Sequence, residues 1–365
     1  MVVVAVDSSL DGVVVARTAL AYVDGQRGRA VVRGYSLADL AAMRSYEDVA
    51  QLVLRGELPA NAHEQREVRA RLVAHSALDE ASLRACRALR DALPHASALA
   101  SALALADDAS ARGASAKLAR AERVLARVPS VCAAITGVSD LPTADSYARR
   151  SLAALGSSRT DEAAVRALEV LLSLESEHGL SASTFACRVA ASSGADAGPS
   201  LSAAMATLSG PRHGGATSDA LALLERAHAS GNVRAFVGDC FTRGERLAGF
   251  GHRVYKVPDP RVPPMRDAMR AMTGVRFLET AVDLERFARE TYGAKGVHAN
   301  IDLFAAALLD GLGVDRRCFA AAFALGVACG WLAHWIEQGD TGRLVRPDSA
   351  YDGPPDRPVP PAPTA

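Results

Sequence analysis

GFGHRVYKVPDPR, residues 249–261, is the stretch around which the chain is organised, and it separates two segments that read as helix. Its two glycines allow a tight backbone path and a close approach to a ligand. His252 can exchange protons near neutral pH, while Arg253, Lys256 and Arg261 supply positive charge suited to a carboxylate or phosphate. This combination indicates acid–base chemistry on an anionic substrate. The alternative is a surface loop whose charges are solvated.

The composition indicates a large globular protein without a polyanionic partner. At 365 residues the chain is long enough for two domains or one large one, and its 41 basic and 41 acidic residues cancel. A net charge of zero gives no support for nucleic-acid binding. The six cysteines are scattered and form no C-x-x-C pair. We therefore expect buried, reduced cysteines in a cytoplasmic protein, rather than disulfides or metal ligands.

Two apolar segments are possible targeting or membrane signals. Residues 1–6 lack a basic start and meet Asp7 too early for a signal peptide. Residues 318–336 contain no Asp, Glu, Lys or Arg and are long enough to be tested as a membrane span. Their many alanines and glycines, and the return to Glu337, favour a helix buried in the core of an α-helical protein. We expect no membrane association.

The rest of the pattern is almost entirely helical. Residues 18–23 and 29–32 predict a short hairpin around a turn-rich connection, and Ser36 and Ser45 are predicted helix N-caps. Breaks are expected near Pro94, Gly113, Pro129, Gly137 and Pro142. Further helices are expected at 161–174, 183–191, 201–208, 217–228, 232–243, 263–273, 278–291 and 303–311. Without repeats or β-α alternation, the predicted class is nearly all-α.

Three polar breaks between apolar helices contain the candidate catalytic residues His213, His252 and Asp302. One carboxylate with two imidazoles is sufficient to enolise a carbonyl compound and to protonate a second one. Taken singly, each histidine could merely satisfy a backbone group at a glycine turn, and Asp302 could be a helix N-cap. A metal site is less favoured, because no His-x-x-x-His pair or carboxylate cluster accompanies these residues.

Three segments resemble the signature segments of the citrate synthase family, in the family's order and at similar spacing. They are GPRHGGA at 210–216, GFGHRVYK with the following DPR within 249–261, and NID at 300–302. The likeness extends over about residues 10 to 353, is loose over 62–157, and is strongest to the short bacterial form.

The resemblance implies an all-α, citrate synthase-like fold of two helical domains with a small N-terminal β-hairpin. Residues 1–215 and 319–353 would form the large domain, 216–318 the small domain, and 354–365 a disordered proline-rich tail. It also implies a homodimer whose cleft closes on small-molecule substrates. No metal or permanently bound cofactor is implied, and a coenzyme A thioester is the cosubstrate.

The resemblance also implies a role for each candidate residue. His213 would hydrogen-bond the thioester oxygen of an acyl-CoA while Asp302 removes a proton from its α-carbon. His252 would protonate the ketone of a 2-oxo acid as the enol attacks it, and water then releases CoA. The positions that match those holding the oxo acid are His178, Arg261 and Arg346, the last reaching across from the partner subunit. The CoA-binding positions are Gly249, Phe250, Gly251, Arg253 and Lys256, with Lys295 a weaker candidate.

Four departures from the family pattern bear on specificity. Val327 stands where the family usually has a substrate-binding arginine, so a bidentate carboxylate contact is replaced by an apolar wall. Ser181 replaces the usual asparagine, and residues 95–97 lack the usual Pro-Met pair. Arg212 replaces a common leucine beside His213, and it could partly replace the missing charge or lower the pKa of that histidine.

These departures leave three hypotheses for the activity. The first is a citrate synthase or 2-methylcitrate synthase, with the choice between acetyl-CoA and propionyl-CoA open. The second keeps the condensation but takes a different 2-oxo acid, which Val327 favours. The third is a CoA-binding homologue without turnover, which retention of all three catalytic positions argues against.

Overall fold

The structure is a computed structural model that describes residue 10 and residues 12–107, 114–139, 141–142 and 146–360. Residues 1–6, the expected break at Gly113 and the last five residues of the tail lie outside the described residues. Within the described residues the chain forms sixteen α-helices and one three-stranded sheet, which confirms the predicted all-α class.

The predicted hairpin is confirmed, and it has a third short strand that the sequence pattern did not indicate. β1 (Ala21–Asp24) pairs antiparallel with β2 (Arg29–Val32), and β2 pairs antiparallel with β3 (Tyr35–Ser36). Asp24 closes the turn, because its Oδ1 accepts hydrogen bonds from the backbone N–H groups of residues 26 and 27.

The helices follow one another with short connections. They are α1 (Leu37–Met43), α2 (Tyr46–Arg55), α3 (Ala62–Ala74), α4 (Glu80–Ala92), α5 (His95–Ala102), α6 (Ala114–Thr136), α7 (Tyr147–Ala154), α8 (Glu162–Glu175), α9 (Ala182–Ser192), α10 (Ala197–Leu208), α11 (Ala216–Ala229), α12 (Val233–Thr242), α13 (Val262–Arg270), α14 (Leu278–Tyr292), α15 (Ile301–Gly311) and α16 (Phe319–Thr341). Short 3₁₀ turns lie at Leu103–Ala106, Gly293–Lys295 and Arg316–Cys318.

Local capping accounts for several helix ends. The Ser36 and Ser45 hydroxyls accept hydrogen bonds from backbone N–H groups in the first turns of α1 and α2, as predicted. The break expected at Pro129 is wrong, since Pro129 lies inside α6. An internal proline costs a helix about 3 kcal/mol, and here the buried neighbours Val128 and Val131 hold the segment in the core.

Two helix starts differ from the prediction by more than one residue, and α16 agrees with it. α10 begins at Ala197 instead of 201, and α15 begins at Ile301 instead of 303. Arg316–Thr341 is long and apolar enough to cross a membrane by length and composition, but 83% of its most apolar window is buried inside the protein. This burial agrees with the predicted core helix.

α16 is the helix against which much of the remaining structure packs, and it contacts α2, α6, α8, α9 and α10. Two glycines allow α8 to approach it closely. A Cβ at Gly326 would lie 2.8 Å from the Leu172 carbonyl oxygen, and one at Gly330 would overlap the Ser176 carbonyl oxygen. The end of α8 is therefore pressed directly onto the backbone of α16.

The division into two domains stays a prediction. The helices of residues 216–318 pack on one another, with α11 against α15 and α12 against α14. They also meet the other part of the chain, since α13 packs on α8 and α15 touches α8 as well. The contact between α13 and α8 brings together residues from both predicted domains.

Gly330→Ala should lower the free energy of unfolding by about 1–3 kcal/mol, because the added methyl group overpacks the contact between α16 and α8. Gly238→Ala is the matched control: Gly238 also lies within a helix, α12, but no atom lies within 4 Å of an added Cβ. The control should be neutral or stabilising by up to about 1 kcal/mol. Urea unfolding measures both, and equal stability of the two variants would contradict the close packing.

Candidate active site

The 249–261 loop lies on the N-terminus of α15. Gly251 N donates to the His298 carbonyl at 2.8 Å, and Asn300 N donates to the Gly249 carbonyl at 2.9 Å. The Asn300 side chain donates from Nδ2 to the Gly251 carbonyl at 2.8 Å. Gly249 has φ +77°, and a Cβ there would lie 2.9 Å from Leu303 Cβ. Two of the sequence-predicted segments, GFGHRVYK and NID, are therefore in direct contact.

A buried ion-pair cluster anchors the end of this loop. Asp259 Oδ1 accepts from Arg261 N and Nε, both at 3.0 Å, and Oδ2 accepts from an Arg261 terminal nitrogen at 2.9 Å and from Ile301 N at 3.2 Å. Another terminal nitrogen of Arg261 donates to Glu175 Oε1 at 3.0 Å. Burial alone would raise the pKa of Asp259, but the Arg261 guanidinium outweighs it and holds that pKa below its usual value.

His252 is fixed in one tautomer by its own loop. Its Nδ1 accepts hydrogen bonds from the backbone N–H groups of Val254 and Tyr255, at 3.0 and 3.1 Å. Burial and the neighbouring Arg261 lower the pKa of His252 to about 4, so the ring is uncharged at neutral pH. The proton of the neutral ring then resides on Nε2, which lies 3.5 Å from an Arg261 terminal nitrogen. His252 therefore presents an N–H donor beside a guanidinium.

His178 lies in the turn between α8 and α9 and meets the same loop. Its Nε2 is 2.6 Å from the hydroxyl of the buried Tyr255, and its ring makes an edge contact with His252 at 5.8 Å between centroids. Burial and the nearby Arg261 hold the pKa of His178 well below its usual value. His178, His252 and Arg261 thus form one cluster around Tyr255.

Asp302 lies in the first turn of α15 and is not the helix N-cap. That cap is Asn300, whose Oδ1 accepts from Asp302 N at 3.0 Å. The Asp302 carboxylate instead accepts a hydrogen bond from Thr217 Oγ1 at 2.8 Å. Burial raises the pKa of Asp302 above its usual value, an effect that the Thr217 hydroxyl partly opposes. Asp302 is a desolvated carboxylate with one defined hydrogen-bond donor.

His213 is half-buried just before α11, the helix that contains Thr217. Its Nε2 lies 3.0 Å from the hydroxyl of Ser183 in α9, so the ring does not serve only the glycine turn. Burial lowers the pKa of His213. Arg212 is exposed and is not a cause of that shift, so the effect expected of it is not found.

The remaining predicted residues have simpler surroundings. Phe250 is partly buried and pairs with Ala299 in an isolated β-bridge. Arg253 and Lys256 are exposed, and Lys256 Nζ donates to the Arg253 carbonyl at 2.9 Å. Arg346 is exposed beyond the end of α16. Lys295 Nζ lies 4.7 Å from the centre of the Phe241 ring.

Several residues that contact the predicted site residues had no role in the sequence interpretation. They are Glu175, Ser183, Thr217, Tyr255 and Asp259. Tyr255 and Asp259 lie within residues 249–261. An aromatic residue and an acid so close to His252 in the sequence could have been recognised as candidate site residues. The others depend on contacts distant in sequence. Across the described residues, no group of three or more His, Cys, Asp or Glu side chains is arranged to hold a metal ion.

Comparison with known proteins identifies the family. The profile of the citrate synthase C-terminal domain matches residues 9–348. The chain belongs to the citrate synthase family. Citrate synthase from Haloferax volcanii is 34% identical, over 94% of this chain and 95% of that protein. A 2-methylcitrate synthase from Mycobacterium tuberculosis is 33% identical, over 95% and 91%.

A solved structure that is similar to this chain comes from the same family. The ternary complex of carboxymethyl coenzyme A and oxaloacetate with citrate synthase from Thermoplasma acidophilum has a TM-score of 0.85 at 28% identity, covering 96% of this chain and 98% of that one. Citrate synthases are acyltransferases, and this chain is an enzyme of that class. The family assignment from the sequence motifs is confirmed.

Asp259→Asn should lower the free energy of unfolding by about 3 kcal/mol, because it leaves the buried Arg261 with only Glu175 as a counter-ion. Since the folded pKa of Asp259 is depressed, its stabilisation is present above the unfolded pKa of about 4 and is lost as the pH falls through the folded value. The difference between wild type and variant should therefore shrink in acid.

The matched control for this measurement is Asp283→Asn, which removes an exposed carboxylate paired with Arg286. Exposed pairs contribute about 0–1 kcal/mol. Urea unfolding at pH 7 and in acid compares the variants, and an Asp259→Asn protein as stable as the control would contradict the anchoring role of the cluster.

Proposed function

We propose that the protein condenses an acyl-CoA with a 2-oxo acid and then releases CoA, by the reaction type of citrate synthase and 2-methylcitrate synthase. The observation that carries the proposal is the pairing of two groups in one site. Asp302 is a desolvated carboxylate with a raised pKa, and His252 is an uncharged imidazole whose Nε2–H lies beside Arg261. One group can take a proton and the other can give one.

The first step would be enolisation of the acyl-CoA. Asp302 removes a proton from the α-carbon, and the Thr217 hydroxyl holds the carboxylate in place. His213 donates a hydrogen bond to the thioester oxygen, where negative charge develops, and the Ser183 hydroxyl supports its ring. A weakly acidic proton is removed most effectively by a carboxylate in a water-poor site, and burial supplies such a site for Asp302.

The second step would form the carbon–carbon bond. The α-carbon of the enol attacks the C2 carbonyl of the 2-oxo acid, and that carbonyl oxygen takes the Nε2 proton of His252. The acid's carboxylate and oxygen atoms are held by His178 and Arg261, with Arg346 contributed by the partner subunit of a homodimer. Water then attacks the thioester carbonyl, and CoA leaves as the thiol.

CoA binding is proposed along the backbone of Gly249 to Gly251, with Phe250, Arg253 and Lys256 beside it. Exposed cations on a glycine loop suit the phosphates of CoA. The carboxymethyl coenzyme A in the Thermoplasma acidophilum complex supports a CoA-binding cleft in this fold. We further propose that residues 216–318 close as a small domain over the cleft, and that the enzyme is cytoplasmic, which its free, buried cysteines support.

Asp302→Asn should reduce kcat by about 100-fold or more, because the variant has no base for the α-proton. The measurement is CoA thiol release from acetyl-CoA and propionyl-CoA, with oxaloacetate and a panel of other 2-oxo acids. Asp310→Asn on the same helix is the control, and should retain activity. A folded Asp302→Asn protein with wild-type kcat would refute the assignment. If the wild-type protein binds CoA but turns over no pair of acyl-CoA and 2-oxo acid, the result would favour the CoA-binding homologue instead.

Thr217→Val should shift the acid limb of the kcat/KM profile to higher pH. The Thr217 hydroxyl lowers the pKa of Asp302, so its loss raises that pKa further. Because the base must be ionised, activity is lost as the pH falls through the pKa, and a higher pKa moves this loss upward. Thr291→Val, at an exposed position of α14, should leave the profile in place. Overlapping profiles for both variants would count against Asp302 as the base.

A further inference from the structure

The carboxylate of Glu175 occupies one side of the Arg261 guanidinium, and the proposed mechanism gives it no task. Glu175 is the last residue of α8, its side chain is only 13% exposed, and its Oε1 lies 3.0 Å from an Arg261 terminal nitrogen. The opposite side of the guanidinium is held by Asp259 in a bidentate contact. Two carboxylates from the protein therefore already share the one cation that the proposed mechanism offers to the oxo acid from this chain.

Counting the described residues of this chain alone, and not the Arg346 proposed from the partner subunit, the charge balance around Arg261 is negative. Asp302 lies close enough to raise the pKa of Glu175, so three carboxylates surround one guanidinium. The two nearby histidines do not offset them, because burial keeps the pKa values of His178 and His252 well below neutral. A second negative charge brought by a substrate would meet carboxylates in a desolvated site, where like charges repel strongly.

The adjacent helix brings no cation to Glu175. α16 passes so close that a Cβ at Gly326 would lie 3.1 Å from Glu175 Cβ, and the next residue is the half-buried, apolar Val327. The buried arginine that packs against α16 from α9, Arg188, is bound to Glu337 and His334. The side of the pocket near Glu175 is therefore acidic and apolar.

We propose that Glu175 determines acceptor specificity: its carboxylate takes the place at Arg261 that the second carboxylate of a dicarboxylic acceptor would need. The acceptor is then a 2-oxo acid with a single carboxylate and an uncharged remainder. This inference rests on the proposed function, in which Arg261 and His252 receive the oxo acid. It deepens that function by naming the residue that selects the acceptor and an acceptor class that differs from oxaloacetate, the dicarboxylic acid used by citrate synthase and 2-methylcitrate synthase.

Glu175→Gln separates this role from a purely structural one. The amide oxygen of glutamine can still accept the hydrogen bond from Arg261, but the negative charge is removed. Assays at pH 8, above the pKa of about 7 that burial gives Glu175, keep the wild-type carboxylate ionised. The readout is kcat/KM for oxaloacetate against kcat/KM for pyruvate and 2-oxobutanoate, with acetyl-CoA and propionyl-CoA as donors. Glu279→Gln, at an exposed position of α14, is the control of equal charge change.

The wild-type enzyme should prefer the monocarboxylic acids. Glu175→Gln should raise the ratio of kcat/KM for oxaloacetate to that for pyruvate by about tenfold or more, mainly through KM for the acid. KM for the acyl-CoA should stay unchanged, and Glu279→Gln should leave the ratio as in wild type. Glu175→Asp, which keeps the charge, should retain the preference for a single carboxylate.

Three outcomes would overturn the inference. The first is a preference of the wild-type enzyme for oxaloacetate. This outcome needs no variant, so the test does not depend on the folding of Glu175→Gln. A folded Glu175→Gln protein with equal losses for both classes of acid would leave Glu175 a structural counter-ion only. If the wild-type protein releases no CoA with any pair of acyl-CoA and 2-oxo acid, that result would overturn the proposed function and this inference with it.

Discussion

The ion pair between Asp259 and Arg261 is the contact on which the geometry of the site depends. One carboxylate receives two hydrogen bonds on each oxygen, three from Arg261 and one from the first backbone N–H of α15. The 249–261 loop, the start of α15 and, through Glu175, the end of α8 are thereby joined in one buried cluster. A buried charge pair is a weak source of net stability, but breaking it is costly, so it holds these three segments in one arrangement.

Backbone contact supplies the rest of the framework around this cluster. The hairpin turn at Gly25 lies directly on Val254, and Lys256 N donates to the Gly25 carbonyl at 2.9 Å. Behind the α8–α9 turn, Glu177 Oε1 accepts from Gly179 N at 2.7 Å and lies 3.2 Å from His334 Nε2. The turn that contains His178 is therefore tied to the core helix α16. The imidazoles of His178 and His252 are neutral, because burial excludes the water that would stabilise their charged forms and so lowers the pKa of each.

The proposed catalytic positions are easier to recognise in the sequence than the residues that contact them, and the reason is physical. His213, His252 and Asp302 stand at breaks where glycines, prolines and caps interrupt apolar helices, and such local signals are readable without a structure. Ser183, Thr217 and Glu175 lie inside or at the ends of ordinary helices, where serine, threonine and glutamate are unremarkable. Their partners are 30, 85 and 86 residues away in the chain, so only the packing of the helices brings them together. The break predicted at Pro129 was wrong for the converse reason, because burial of the segment in the core outweighed the local tendency of proline to end a helix.

The negative charge of Glu175 is unfavourable in its local surroundings. An anion at the last residue of a helix meets the negative end of the helix dipole, worth about 0.3–1 kcal/mol at an exposed site. Burial opposes its ionisation as well, and Asp259 and Asp302 add like charge, with only Arg261 in its favour. A glutamine could keep the hydrogen bond to Arg261 without these penalties. Sites where local preference and global structure disagree tend to be functional ones. At Glu175 the conflict comes from its negative charge, and that charge repels an anionic acceptor.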